Sequence, residues 1–304
     1  MVGQWLNPAY TRDMPELPEV ETVRRGLGRL IVGKVIARTQ VFDSPKSFPN
    51  DQSAVEQFLY GATITDVRRR AKVLLIDLST HYTLVIHLKM TGQLVYRGEQ
   101  NFGAGHPTDS LIGELPDRST RVKIVFRDGA HLYFNDQRKF GWIKLMPSLE
   151  VPNIDFMQKV GPEPLEGTFT SKEFISRIRL RSNTTIKAAI LDQTVLAGVG
   201  NIYADESLWG AAIHPATRVR DISDDQLAVL LNQIKYVMNL SIEKGGSTNR
   251  NYVNAEGKRG SYIDFARVFR KDGSPCSRHP DVVIEKIKVA GRGTHVCPVC
   301  QVVQ

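Results

Sequence analysis

ATITDVRRRAKVLLIDLSTHYTLVIHL, residues 62–88, reads as three strands in succession. ATITDV, VLLIDL and YTLVIHL are short and rich in β-branched residues, which suit a pleated, half-buried surface. The pattern repeats outward, with KVIARTQVF upstream and RVKIVF and HLYF downstream. The turn residues RDG at 127–129 separate the last two. Six such runs by residue 134 predict a sandwich or barrel. One helix precedes them: Val20, Val23, Leu27 and Leu30 share a single helical face. Glu16, Glu19 and Glu21 lie in or near its first turns, where negative charge suits the dipole, and Gly33 is its expected stop. The Gly-, Pro- and polar-rich segment 98–118 reads as a mobile loop.

The second half reads as helices. The longest is expected over 224–244, with Ser223 and Gln226 as a capping box, Ile222 stapled to Leu227, and Gly245–Gly246 ending it. KAAILDQ and NIYADESLWGAA are two further helical stretches joined by VLAGVG. Prolines 147, 152, 162 and 164 mark a boundary between the halves. The fold class expected is therefore a two-domain α+β chain.

Composition narrows the function. The 304 residues carry 40 Lys+Arg against 32 Asp+Glu, a net charge of +8. The pI near 9.4 favours an anionic partner, with nucleic acid first, although solubility alone also accounts for such a charge. Residues 265–304 hold seven basic groups and three acids, so half the excess sits in this tail, where it suits a phosphate backbone. No run of about 18 apolar residues exists to span a membrane. Residues 1–13 lack the basic start and apolar stretch of a secretory signal. Three cysteines make no disulfide framework, and the expected compartment is a reducing cytosol.

All three cysteines fall in the tail, as Cys276-Ser-Arg-His279 and Cys297-Pro-Val-Cys300. Two pairs with an x2 spacing form the layout of a tetrahedral structural zinc site, which would supply folding energy to a segment too small to hold itself by burial. The alternative is that the cysteines are small core residues and His279 a surface histidine. Between the pairs, Arg292 in GRGTH is placed at a hairpin tip.

Two more stretches carry chemistry. LAGVGNIYADE, 196–206, sets a glycine-flanked turn against a helix start, where free N–H groups and the Asn201 side chain could meet phosphate; a glycine-rich turn with no ligand fits the same spacing. MPELPEVE, 14–21, would expose an N-terminal proline if translation began at Met14 and that Met were removed. An α-amine, with a pKa of about 7.7–8.0, is partly neutral at pH 7 and nucleophilic, and as a secondary amine it would give an iminium directly on a sugar C1′, with Glu16 moving protons. Equally, Pro15 is a helix-start proline and the glutamates serve the dipole.

PELPEVETVRRGL, RRAKVLL, HLKMTGQL, DQRKFG, GPEPL, LAGVGNIYADE, IHP, GGSTNRNYVN and AGRGTHVCPVCQ occur here in one order. Together they resemble the bacterial formamidopyrimidine-DNA glycosylases, repair enzymes for oxidised purines, over about residues 14–301. The resemblance implies an N-terminal β-sandwich flanked by helices, a helix-two-turn-helix domain and a β-hairpin zinc finger. The expected boundaries are 14–148, 149–264 and 265–304, with 1–13 an extension that is removed or not native. It implies Pro15 as Schiff-base nucleophile, Glu16 as general acid/base with Glu19 supporting, and Lys72 at the phosphate next to the lesion, assisting β-elimination. Asn201 and Arg292 would grip the flanking phosphates, Arg292 also serving the later elimination. Lys187 and Glu19 are counted among the DNA-binding residues. Met90, Arg138 and Phe140 would fill the hole left by a flipped base, although singly Met90 and Phe140 read as core residues. Residues 246–265 would form a flexible loop over that base. One structural Zn2+ on Cys276, His279, Cys297 and Cys300, a duplex DNA partner with oxidised bases, a monomer without membrane contact, and a cytoplasmic, nucleoid-associated location complete the expectation.

The chain departs from the family pattern in four places. His279 stands where a cysteine is usual, Ser119 where a DNA-contacting histidine is usual, and Asn183 where a lysine is common. Residues 1–13, if retained, make Pro15 an internal amide with no nucleophilic lone pair. The alternatives are an endonuclease VIII-like enzyme for oxidised pyrimidines, against which PELPEVE argues, and a non-catalytic binder of damaged DNA.

Overall fold

The computed structural model describes residues 15–106, 108–247 and 262–303. By its contacts the chain forms two compact units, one of Val20–Val151 with Pro15, the other of Glu16–Glu19 with residues 152–303. Among the described residues, no helix is long and apolar enough to cross a membrane.

The first unit takes most of helix α1 (Leu17–Ile31), then β1 (Ile36–Val41), α2 (Gln52–Phe58), β2 (Ile64–Arg70), β3 (Val73–Leu78), β4 (Tyr82–His87), β5 (Gly92–Arg97), β6 (Phe102–Gly105), β7 (Thr120–Phe126), β8 (His131–Asp136) and β9 (Trp142–Pro147). The strands form two antiparallel sheets, β1-β7-β8-β5-β6 and β2-β3-β4-β9. One hydrophobic cluster joins residues of both: Leu74, Ile76, Leu84 and Ile86 from one, Leu94, Val122, Ile124 and Phe134 from the other. Val20, Val23, Leu27 and Ile31 of α1 enter the same cluster, while Leu30 is only partly buried. Period 3.6 explains the exchange, since by the third turn position 31 has rotated onto the inward stripe. Gly33, at φ +85, ends the helix in the left-handed conformation expected of it.

Segment 98–118 is not the expected loop. β6 lies within it and pairs antiparallel with β5 as a sheet edge. Leu111 is buried against Val95 and Tyr133. FGAG is too short and glycine-rich to announce a strand, although Phe102 and Ala104 pack into the sheet cluster; its glycines serve backbone approach. Gly105 has φ +121, and a Cβ there would stand 2.5 Å from the Gly92 carbonyl oxygen.

The second unit contains α3 (Asp155–Lys159), α4 (Ser171–Arg179), α5 (Ile186–Leu191), α6 (Asn201–Gly210), α7 (Asp224–Glu243), α8 (Tyr262–Phe265) and the hairpin β10 (Glu285–Val289)–β11 (Arg292–Val296). Three of these helices start at a side-chain cap: Thr170 accepts from Glu173 N, Thr185 from Ala188 N, and Ser223 with Gln226 forms a complete capping box. Ile222 and Leu227 are both buried in the helical core, as a staple requires. Asn201 opens α6, and Arg292 opens β11 just past the hairpin tip.

Candidate active site and metal centre

Pro15 is followed by a carboxylate held in place from several directions. The Glu16 side chain lies against the start of α6, where its Oε1 accepts from the Ile202 N–H at 3.2 Å. One of the N–H groups at this helix start is therefore taken up by a glutamate of the chain itself. A Cβ on Gly200 would fall 2.2 Å from the Glu16 carboxyl carbon, so this glycine makes room for that carboxylate. Leu17 N–H donates to Gly198 O at 3.1 Å, fastening the same segment.

Glu19 is 3 % exposed and faces inward. Its Oε2 accepts from the Glu16 N–H at 2.9 Å. Its Oε1 accepts from the Tyr203 hydroxyl at 2.6 Å and from Ser247 N and Oγ at 2.7 Å each. Burial, with the charges of Glu19 and Glu16, pushes the Tyr203 phenol well above its ordinary value, so it remains a donor. Glu19 thus supports Glu16, and its burial is at odds with a direct DNA contact. Tyr203 and Ser247 had no sequence signal, since each acquires its role only through a partner far away along the chain.

Lys187 also departs from expectation. It is fully buried, and its Nζ donates to Asp205 Oδ1 at 2.6 Å, Thr294 Oγ1 at 2.7 Å and Gly293 O at 3.3 Å. Burial lowers its pKa, and the charge of Asp205 opposes that. The ammonium ties α5 and α6 to β11. Asp205 Oδ2 accepts from His295 N at 2.9 Å, and Asn201 Nδ2 donates to Gly293 O at 3.1 Å. Asn201 and Arg292, the two expected phosphate grips, are thereby brought to one place, with Arg292 exposed at the strand start. Glu206, next on α6, accepts the N–H groups of Arg267, Val268 and Phe269 at 2.8–2.9 Å and anchors the segment entering the finger.

Residues 248–261, most of the loop expected over the flipped base, lie outside the described residues, as do residues 1–14. The ends of that stretch meet, since Tyr262 N–H donates to Gly246 O at 3.0 Å.

Two groups belong to the first unit. Lys72, 7 % exposed, follows the left-handed Ala71 (φ 51) in the β2–β3 turn. Met90, Arg138 and Phe140 come together from the β4–β5 and β8–β9 loops. Arg138 Nη1 lies 3.2 Å from Met90 Sδ, and its guanidinium stacks 5.0 Å from the Phe140 ring centre. Phe140 is 52 % exposed, so it is not a core residue. Each loop holds a non-glycine in left-handed backbone, Lys89 at φ 53 and Lys139 at φ 59. Ser119 is buried and donates to Asp117 Oδ1, and Asn183 Oδ1 accepts from Arg220; both substituted positions have internal partners.

The metal centre is compact. One ligand atom each of Cys276, His279, Cys297 and Cys300 lie within 4.8 Å of one another. Cys276 and Cys300 sulfurs are 3.7 Å apart, and His279 Nδ1 is 3.1 Å from Cys300 Sγ. A tetrahedron with Zn–S of about 2.3 Å has S···S edges of about 3.8 Å, so the set fits zinc. Trp209 packs with Cys276 and Cys297, and Arg278 stacks 3.9 Å over its ring. These four ligands hold one structural zinc, with His279 in the place of a cysteine.

Comparison with known proteins decides the family. The N-terminal domain model of formamidopyrimidine-DNA glycosylase matches residues 14–143, its H2TH domain model residues 160–253, and the zinc finger found in FPG and IleRS residues 282–302. The formamidopyrimidine-DNA glycosylase of Pediococcus pentosaceus is 41% identical over 291 residues, 96% of this chain and 100% of that one. The chain belongs to the formamidopyrimidine-DNA glycosylase family. The glycosylase of Herpetosiphon aurantiacus is 42% identical over 95% of the chain and all of its own length. A Lactococcus lactis glycosylase in complex with Fapy-dG-containing DNA superimposes with a TM-score of 0.82 at 35% identity, over 95% of this chain and 100% of that one. The same organism's enzyme bound to DNA with an abasic site gives 0.81 at 35% identity, over 94% and 99%. In the finger, the family match starts at residue 282, after Cys276 and His279, so the substituted pair falls outside it.

Proposed function

We propose that this glycosylase excises oxidised purines from duplex DNA and then cleaves the abasic site, acting as a monomer in base excision repair. The observation that carries the reading is the carboxylate of Glu16, fixed at the α6 N-terminus directly after Pro15 in sequence. The neutral Pro15 amine attacks C1′ of the extruded nucleotide. The C1′–N bond to the base breaks and the base leaves with a proton; the attached proline nitrogen then gives up its own proton, and its lone pair forms the iminium as the C1′–O4′ bond breaks and O4′ takes a proton. Glu16 moves protons at the sugar. Loss of the 2′ proton then expels the 3′ phosphate, and a second elimination expels the 5′ phosphate, leaving a one-nucleotide gap. Lys72 serves the phosphate beside the lesion, and Asn201 and Arg292 grip its neighbours. Met90, Arg138 and Phe140 fill the vacated stack, two apolar wedges and an arginine on the orphaned base. This chemistry belongs at the chromosome, in the cytoplasm.

The route requires a free Pro15 nitrogen, hence a working chain that starts there. Borohydride trapping on duplex DNA with one 8-oxoguanine opposite cytosine tests it. A chain begun at Met14 is expected to give a covalent adduct, and its Pro15→Gly variant to bind without efficient excision. Unaltered turnover of that variant, or active native enzyme whose intact mass retains residues 1–13, overturns the nucleophile. A Lactococcus lactis structure, 34% identical, holds DNA with an oxidised pyrimidine, so a pyrimidine lesion is run alongside; an adduct on that lesion alone reassigns the substrate.

A further inference from the structure

The wedge loops rest on a carboxylate that the chemistry above does not use. Asp136 ends β8 and is fully buried. Its Oδ1 accepts the Arg138 N–H at 3.1 Å and the Thr91 hydroxyl. Its Oδ2 accepts the Gly141 N–H at 2.6 Å. The same Arg138 N–H also reaches Thr91 Oγ1 at 3.1 Å. One carboxylate thus grips both ends of the loop that carries Arg138 and Phe140, and the residue that follows Met90 in the other loop. Gly141 admits this: a Cβ there would stand 3.1 Å from Asp136 Oδ2 and 2.7 Å from Phe134. The Arg121 guanidinium beside Asp136 is shared between its backbone and another carboxylate. Arg121 Nε donates to the Asp136 backbone oxygen at 2.7 Å, and its Nη1 pairs with Asp43, which also binds Lys139. On the Met90 side, Lys89 N–H donates to His87 Nδ1 at 3.0 Å, completing the frame.

A charged carboxylate is costly to bury, and backbone N–H groups are weaker compensation than a cation. A turn-former alone would need one bond to the N–H two residues on. Asp136 makes that bond and also spans to a second loop. We propose that Asp136 is a positioning residue that fixes Met90, Arg138 and Phe140 as one preformed wedge, so that insertion into the base stack costs little ordering entropy. This rests on the reading of those three residues as the void-filling set. Preorganisation of this kind raises the rate of the step that uses the geometry more than it raises stability.

The test is a stopped-flow measurement of base-stack opening, with 2-aminopurine beside the 8-oxoguanine in a duplex, on the full-length zinc-loaded protein. Asp136→Asn keeps the shape but turns an amide N–H₂ toward a donor. Thr91→Val leaves the carboxylate in place and removes only the hydroxyl's bonds to Asp136 and to the Arg138 N–H. Both are expected to slow the opening phase by about tenfold or more, with zinc content retained. Cleavage of a preformed abasic site, which needs no base extrusion, is expected to change by less than about threefold. Met90→Ala and Phe140→Ala are run as references. If these slow opening while Asp136→Asn and Thr91→Val open at the wild-type rate, the positioning role is overturned and the wedge stands. If Met90→Ala and Phe140→Ala leave opening unchanged, the wedge reading fails, and the proposal with it. Should Asp136→Asn not fold, the opening rate of Thr91→Val decides between these outcomes.

Discussion

The backbone N–H of Glu16 donates to the side chain of Glu19, whose Oε2 lies 2.9 Å away. The second carboxylate therefore sets the first by holding its main chain. The other Glu19 oxygen is filled by Tyr203 and Ser247. Glu19→Gln, close in shape, would place an amide donor among donors. It is expected to cost about 2–3 kcal/mol of stability and to slow single-turnover excision. Tyr203→Phe removes the hydroxyl's bonds to Glu19 and Ser241 and is expected to cost about 1–2 kcal/mol. Urea unfolding with single-turnover assays checks both; wild-type excision by Glu19→Gln would remove Glu19 from the site.

Arg292 and Lys187 are expected to part company in salt. Arg292→Gln removes an exposed cation from the phosphate grip and is expected to lower the slope of log K against log[salt] by about 0.9. Lys187→Met leaves the buried Asp205 with His295 but without its ammonium partner, at a cost of about 3–5 kcal/mol, but releases no counterion and is expected to leave the slope unchanged. Fluorescence anisotropy between about 50 and 200 mM salt measures both. A reduced slope for Lys187→Met would return that lysine to the DNA.

Acid is expected to loosen the first unit in two stages. Burial acts to raise the Glu21 carboxyl, but hydrogen bonds from Arg24, Arg25 and Arg69 outweigh it and lower the pKa from 4.5 to about 2. Burial, helped by the charges of Lys89 and Lys72, lowers the His87 imidazole from 6.5 to about 3. In both cases the unfolded chain binds more protons through the window, so stability rises with pH there. The His87 contribution is complete above pH 6.5 and falls away toward 3; that of Glu21 is complete above 4.5 and falls away toward 2. Urea midpoints of wild type and Glu21→Gln across this range measure the difference. The variant is expected to lose the Glu21 stage alone, and an unchanged acid slope below pH 4.5 would contradict the arginine cluster.

Zinc removal is expected to cost DNA affinity more than it costs the sheets. The four ligands brace the segment that carries β10, β11 and Arg292, which has little apolar core of its own. Chelation should weaken binding by about tenfold or more while the β signal in circular dichroism persists. His279→Cys is expected to retain zinc, and His279→Ala to release it faster to a chelator. Full DNA binding by metal-free protein would contradict the assignment.

The strands around Val73–Leu78, the capped start of α7 and the four zinc ligands were legible because their signals are local. Alternation, a cap three residues from its partner, and paired x2 spacings act over a few residues. β6 was not legible, because FGAG is short and half glycine, and the burial of Ala104 depends on its place beside β5. The burial of Lys187 was not legible, because a lysine in a basic chain carries no mark of it. Only Asp205 and Thr294, from α6 and β11, enclose it.

Sequence by itself determined the chemical inventory: a proline followed by a glutamate, a set of zinc ligands, and a methionine, arginine and phenylalanine in known order. Tertiary structure decided which charges turn inward, that Glu16 takes one N–H at the start of α6, and that Asp136 links two loops more than forty residues apart in the chain. The physical reason is range. Propensity and periodicity act between neighbours, whereas burial and the partners of a buried charge exist only once distant segments have packed.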